Sequence, residues 1–279
     1  TLGIALNLYN RIEVEEISSG LDIRVLNTAD YIPLDERNLI YRAMLVVFKE
    51  VRYKPRGLRI VQNSEIPMTR GLGSSSACII GGMLAANVIA GHPLPYSRII
   101  ELAAKMEGHP DNVGPALFGG FCVSLMADER TIVHSTKIRP HIKCAVMIPD
   151  YFVATRKSRE VLPDSVPFRD AVFNISHASI LQAALISGDV SQLRIGVQDR
   201  LHQPYRRNCI DGFDEIFEKT YSAGSLGTYL SGSGPTVLSF LDGNYSSFKA
   251  EMENFFTKNS HKWTCKILDI DNVGAVVSE

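Results

Sequence analysis

A chain of 279 residues, 45% hydrophobic and 21% charged, is long enough for two ordinary domains with real cores, and two domains are expected. A net charge of −1 argues against a partner held mainly by phosphate charge, so no nucleic acid is expected and positive charge has to be local. No apolar run approaches the roughly 18 residues of a membrane span and the start carries no charged leader, so no membrane is expected either.

Residues 4–16 alternate around Leu6, Leu8, Ile12 and Val14 as a half-buried strand does, and 21–26 continues the sheet. Residues 38–53 are a helical run with Leu39, Ala43, Val46 and Val47 at helical spacing. A strand is expected over 58–66 and a small-residue helix over 75–90, closed by Gly91. Gly91-His92-Pro93 reads as a helix stop. Another helix covers 96–106, and 121–126 with 131–133 reads as a hairpin. The charged stretch 137–140 precedes the apolar strand 144–148, and the domain boundary is placed there, giving domains 1–140 and 141–279. Beyond it come helices at 169–187, 190–199 and 211–223, a strand at 236–241, a helix at 246–259, a strand at 264–269 and a last strand near Ala275. Strands and helices mixed without steady βαβ alternation indicate the α+β class. Five dispersed cysteines without a CxxC pair read as reduced core thiols, which suits a cytoplasmic protein.

Pro67-Met68-Thr69-Arg70-Gly71-Leu72-Gly73-Ser74-Ser75-Ser76-Ala77 joins the strand at 58–66 to the small-residue helix. Gly71 and Gly73 permit positive φ and a close backbone approach, and the helix start offers unpaired amides, which together make an anion cradle. The bland reading is a βα turn with a serine N-cap. Three hydroxyls, of Ser74, Ser75 and Ser76, exceed what one cap needs. The pattern is neither the lysine-bearing Walker A loop nor the dinucleotide GxGxxG.

This loop is similar to the second motif of the GHMP kinases. Glu107-Gly108-His109-Pro110-Asp111-Asn112-Val113-Gly114 resembles the stretch of their homoserine kinase branch, and Ser231-Gly232-Ser233-Gly234-Pro235 resembles the C-terminal glycine motif. The resemblance implies an N-terminal domain like ribosomal protein S5 domain 2, a ferredoxin-like C-terminal domain, and ATP and Mg2+ as cofactors. It implies L-homoserine as substrate, phosphorylated to O-phospho-L-homoserine for threonine synthesis. The metal ligands it implies are Ser75 and Glu101, with Glu107 as the rival carboxylate. Asn112 stands where related kinases carry an aspartate base, and a carboxamide has no usable basic site, so it holds the acceptor hydroxyl by hydrogen bonding. Asp111 reads as an N-cap. Thr155 and Arg159 lie in a segment similar to one that faces the substrate, Arg206 lies in a second, and His109 and Gly232 are further substrate contacts. Arginine binds a carboxylate bidentately, which suits an amino-acid acceptor. Asn38, at a helix start, is a candidate for adenine contact. The family's opening segment, similar to PATSANLGPGFD, has no counterpart in these residues, so an edge strand and part of the acceptor site are expected to be missing. The same fold could instead serve a mevalonate-like or sugar alcohol, or an inactive nucleotide-binding regulator. A homodimer is left open.

Overall fold

The alternation near the N-terminus splits, in the computed structural model, into two strands of different sheets, β1 (Leu2–Ile4) and β2 (Asn10–Glu16). The described residues are 1–27, 31–128, 130–139, 141–153, 158, 160–259 and 262–278. They fall into two units: Thr1–Met68, Gly73–Lys137 and Asp271–Glu279 in the first, Thr69–Leu72 and Ile138–Ile270 in the second.

In the first unit β2 pairs antiparallel with β4 (Gly57–Ser64), and β3 (Gly20–Leu26) pairs parallel with β4 on its other edge. The alternation along β2 puts Ile12 and Val14 on the core side. Helix α1 (Leu39–Glu50) buries Ile40, Ala43, Met44, Val47 and Phe48. Against it lies α2 (Ser74–Ile89), which has no charged residue; a helix apolar all round is stable only when surrounded. Its two glycines let the neighbours come close. A Cβ on Gly81 would sit 2.4 Å from Ile12 Cδ1, and one on Gly82 2.6 Å from the Ile40 carbonyl oxygen. Helices α3 (Tyr96–Glu107) and α4 (Val113–Phe118) complete the layer. The expected hairpin is β5 (Phe121–Ala127) with β6 (Arg130–Thr136), and β1 joins it on the β5 edge.

The second unit is one antiparallel sheet in the order β10-β7-β9-β8, built from β7 (Ile142–Pro149), β8 (Gly227–Leu230), β9 (Val237–Asp242) and β10 (Trp263–Asp269). Helices separate β7 from β8 and β9 from β10, which with this strand order is the split βαβ of ferredoxin-like sheets. The helices are α5 (Phe168–Ser187), α6 (Leu193–Gly196), α7 (Gln203–Arg206), α8 (Phe213–Ser222) and α9 (Tyr245–Lys258). The helix expected over 190–199 is instead a short 3-10 turn at Val190–Gln192 followed by α6. Ala145, Met147, Ile216, Phe248, Met252 and Phe256 form the core. Inside it the Thr228 hydroxyl lies 2.7 Å from that of Thr220 and 2.8 Å from those of Ser225 and Ser239, so the buried hydroxyls satisfy one another. All five cysteines are free thiols; burial pushes Cys78 and Cys122 up to about 11 and Cys265 to about 12. Among the described residues no helix is long and apolar enough to cross a membrane.

The last residues correct two expectations. No strand forms near Ala275, and residues 271–279 belong to the first unit rather than to a domain 141–279. The Asp271 amide donates to the Ala5 carbonyl, the Asp271 carbonyl accepts from Gly120, and the Ala275 amide donates to Leu117. Gly119 and Gly274 cross here at positive φ, a Cβ on either lying 2.5 Å from the other's nitrogen. Gly274→Ala is therefore expected to cost roughly 1–3 kcal/mol by overpacking as well as backbone strain. Gly243→Ala, also at positive φ but with nothing within 4 Å, is the control. Urea midpoints that fall equally would contradict the close crossing.

Candidate active site

The phosphate-type loop begins after β4 with Thr69 at φ 52°, and Gly71 and Gly73 follow at 78° and 72°. Gly73 is the N-cap of α2, and as glycine it supplies no capping side chain. The first amides of α2 therefore have no capping side chain at the positive end of the helix, the arrangement that receives an anion. Of the three serines, Ser75 is exposed, whereas Ser76 is fully buried with its Oγ unpartnered. The Ser76 hydroxyl is turned inward, unlike that of Ser75.

Within the second unit the loop is held from behind. Ser231 Oγ donates to the Gly71 carbonyl at 2.7 Å and the Thr236 amide donates to that of Arg70 at 3.3 Å. A Cβ on Gly71 would lie 2.4 Å from the Ser231 carbonyl oxygen, so only glycine lets the two backbones meet. The guanidinium of Arg70 donates to the carbonyls of Pro149 and Asp150 at the end of β7, at 3.2 and 3.0 Å. These contacts make the Arg70 side chain an anchor of the loop.

The two carboxylates named for the metal have different partners. Ser75 Oγ donates to Glu107 Oε2 at 2.9 Å. Glu101, about one and two-thirds turns earlier on α3, accepts from Arg98 at 2.8 Å, and Arg98 also holds Glu50 at 2.7 Å. The structure thus joins Glu107 to Ser75 and ties Glu101 into an ion-pair chain. Among the described residues no group of three or more His, Cys, Asp or Glu could hold a metal. One carboxylate beside one hydroxyl suits Mg2+, which takes few protein ligands and keeps its waters.

Asn112 stands beside the start of α2, where a Cβ on Gly73 would lie 3.3 Å from its Oδ1. One oxygen of Asp111 organises its neighbours: it accepts from the Asn112 amide at 2.9 Å, from Asn112 Nδ2 at 3.2 Å, and lies 2.5 Å from His109 Nδ1. Asp111 is an orienting group, not the N-cap it was expected to be; the cap position of α4 is Asn112, without a side-chain cap bond. Asn38 starts α1. It is 1% exposed, accepts from the amides of Ile40 and Tyr41 and donates to the Pro33 carbonyl, so it caps α1.

In the second unit Arg206 Nε donates to the Ser158 carbonyl at 3.0 Å, and its Nη1 donates to the Gly232 carbonyl at 3.0 Å and to His202 Nδ1 at 3.2 Å. An arginine cannot accept, so His202 Nδ1 carries no proton; the ring proton sits on Nε2, 3.8 Å from Asp199 Oδ1. Asp199 in turn accepts from Asn174 Nδ2 at 2.6 Å and from the amides of His202 and Gln203. Sequence reading singled out Arg206 within the segment 202–206 but gave no role to His202, which opens that segment, or to Asp199 ahead of it. Thr155 and Arg159 lie outside the described residues.

Comparison with known proteins follows this geometry. Residues 38–120 match the GHMP kinases N terminal domain and residues 181–257 the GHMP kinases C terminal domain. The chain is 44% identical to a homoserine kinase of Caldicellulosiruptor saccharolyticus over 99% of its length and 90% of the relative's. With a homoserine kinase of Petrotoga mobilis the identity is 42%, over 99% and 91%. The crystal structure of homoserine kinase from Cytophaga hutchinsonii superposes with a TM-score of 0.87 at 24% identity, covering 98% of this chain and 90% of that one. L. major mevalonate kinase in complex with R-mevalonate gives 0.74 at 16% identity, over 98% and 89%. At those identities the two structures speak for the fold.

Burial holds His202 below the usual imidazole value of 6.5, with Asp199 opposing and Arg206 adding to the effect. Burial also pushes Asp199 up, but the His202 ring and the donors around it outweigh this and keep its carboxyl below the usual 3.8. A histidine whose folded value is depressed takes up its proton first in the unfolded chain, so stability should fall as pH drops below 6.5. His202→Gln, which still accepts from Arg206, should flatten that loss below pH 6.5. Denaturation midpoints with the same acid slope in both proteins would contradict a neutral His202.

Proposed function

The chain belongs to the GHMP kinase family, and from that premise we propose that it transfers the γ-phosphoryl group of ATP to the side-chain hydroxyl of L-homoserine, as a cytoplasmic enzyme of threonine biosynthesis. The observation that carries this reading is near full-length identity of 44% and 42% to two homoserine kinases, joined to a glycine-capped α2 beside Asn112 and the Ser75–Glu107 pair. Phosphoryl transfer asks a protein mainly for alignment and charge stabilisation. The amides at the start of α2 receive the phosphates. Ser75 and Glu107 would hold Mg2+, which neutralises charge on the β- and γ-phosphates when bound.

Asn112 is assigned to the acceptor hydroxyl, its amide held by Asp111. Since a carboxamide is not a base, the acceptor proton leaves to a phosphate oxygen or to water. Asp111 is a poor substitute, because its Oδ1 is already engaged by the Asn112 amide, by Asn112 Nδ2 and by the His109 ring. His109 is oriented by the same oxygen and is assigned to substrate binding. For the substrate carboxylate the reading names Arg206, with Thr155 and Arg159, and Gly232 is the residue whose carbonyl Arg206 holds.

In an ATP-coupled assay L-homoserine should be phosphorylated in preference to L-serine, L-threonine and mevalonate. Arg206→Leu should raise the homoserine KM with little change for ATP, by a factor matching roughly 2–5 kcal/mol for loss of a charged hydrogen-bonding partner. A decarboxylated amino alcohol used as well as homoserine would remove the arginine from the carboxylate.

Glu107→Ala should lower turnover by orders of magnitude and shift its Mg2+ dependence to higher concentration, while Glu101→Ala should act mainly on stability through Arg98. Turnover ranked the other way would return the metal to Glu101. Asn112→Asp, which adds negative charge beside the transferring phosphate, should slow the reaction; a faster enzyme would reveal a missing base.

A further inference from the structure

Three consecutive residues after β8 tie together two parts of the second unit that have separate duties. The Leu230 amide donates to Gln203 Oε1 at 2.8 Å and the Gly232 carbonyl accepts from Arg206 Nη1 at 3.0 Å, so both neighbours of Ser231 are bonded to α7. Ser231 itself is bonded to the phosphate-type loop, its Oγ donating to the Gly71 carbonyl at 2.7 Å. The Thr236 amide adds a second bond to that loop, on the Arg70 carbonyl at 3.3 Å. Gly71 precedes the Gly73 cap of α2 by two residues.

The turn between these points has little freedom. Ser231 donates its amide to the Thr236 carbonyl at 2.9 Å and accepts from the Gly234 amide at 2.8 Å. A Cβ on Gly234 would lie 2.9 Å from Leu230 Cδ1 and 3.3 Å from Ile210 Cδ1, both side chains of the core. One on Gly71 would lie 2.9 Å from the Gly234 carbonyl oxygen, so loop and turn are in backbone contact. Close-packed groups of this kind transmit a displacement and do not absorb it. Arg206 is held by the carbonyls of Ser158 and Gly232 and by His202, and of these three Gly232 belongs to the turn that the loop secures.

We propose that Ser231 is a positioning residue that couples the two substrates: phosphate bound at the loop fixes Gly71, Ser231 passes this to Gly232, and Arg206 is thereby set for the acceptor carboxylate. The coupling rests on the function proposed for the chain, with ATP phosphates at the loop and the homoserine carboxylate at Arg206. Ordering that the nucleotide has already brought about need not be repeated when homoserine binds, so each ligand tightens the other by the same factor. A hydroxyl that only braced the fold would weaken both binding events and leave that factor as it was.

Calorimetric titration of the full chain with L-homoserine, alone and with saturating Mg2+ and a non-hydrolysable ATP analogue, reads the factor directly. In the wild type the nucleotide should tighten homoserine at least about fivefold, and homoserine should tighten the nucleotide equally. Ser231→Ala, folded by circular dichroism, should bind each ligand alone within about threefold of the wild type, with the mutual factor reduced below about twofold. Arg206→Lys keeps the charge but not the planar fork that spans Gly232 and His202, so it should bind homoserine more weakly and to the same extent with and without nucleotide. Hydrogen exchange on the wild type needs no variant: nucleotide alone should slow the Thr236 amide. No mutual tightening in the wild type, an unchanged factor in Ser231→Ala, or a Thr236 amide indifferent to nucleotide would overturn the coupling while leaving the kinase reading in place. A wild type that binds the nucleotide but no homoserine would overturn that reading, and the coupling with it.

Discussion

The bare N-terminus of α2 is the constraint from which most of the first unit follows. A helix start leaves amides without intrahelical partners, and Gly73 in the left-handed conformation leaves them without a side chain. Such an end is tolerable at the edge of a site that receives anions. Holding it steady requires the rest of α2 to be fixed, and the helix is accordingly packed on β2 through Gly81 and on α1 through Gly82. The neighbours of that end are then set by the same packing: Ser75 meets Glu107 and Gly73 meets Asn112.

The second unit solves a different problem, how to keep cationic and polar groups in place near backbone. Arg70 and Arg206 are both held by main-chain carbonyls, Arg70 at the end of β7 and Arg206 at Ser158 and Gly232. Asp199 sits at the root of the Arg206 arrangement, gathering a side-chain amide and backbone amides and facing His202, which in turn accepts from Arg206. A buried carboxylate with that many donors is stable in place, and it passes a fixed orientation to a neutral imidazole and so to the guanidinium. The Thr228 hydroxyl cluster applies the same rule in the core, where each hydroxyl is partner to another.

Outer surfaces repeat the contrast between used and unused polarity. Helix α3 joins α1 through an ion-pair chain, Glu50–Arg98–Glu101, that engages a carboxylate which the family resemblance implied for a metal. Helix α5 does the reverse, leaving apolar side chains outward over most of its length.

Local chemistry determined much of this protein. Glycine spacing and a small-residue helix marked the anion cradle at 67–77, period-2 and helical patterns placed the main strands and helices, and mixing without βαβ alternation indicated the α+β class, while the ferredoxin-like second half came only from the family resemblance. Contacts made across sequence distance were decided by tertiary structure alone. Glu101 and Glu107 lie on one helix and differ in sequence by six positions, about 9 Å of rise; which of them reaches Ser75 depends on how α3 lies against α2. Asn38 looked available because a cap residue and a ligand contact share a side chain type, and only the fold shows its oxygen and nitrogen both occupied. Ser76 looked like its neighbours until helical rotation turned it inward. Residues 271–278 return to β1 and α4 through backbone hydrogen bonds, which no side-chain pattern announces. A sequence fixes which groups a segment owns and what it prefers locally; partners, and with them the identity of a site, follow from packing.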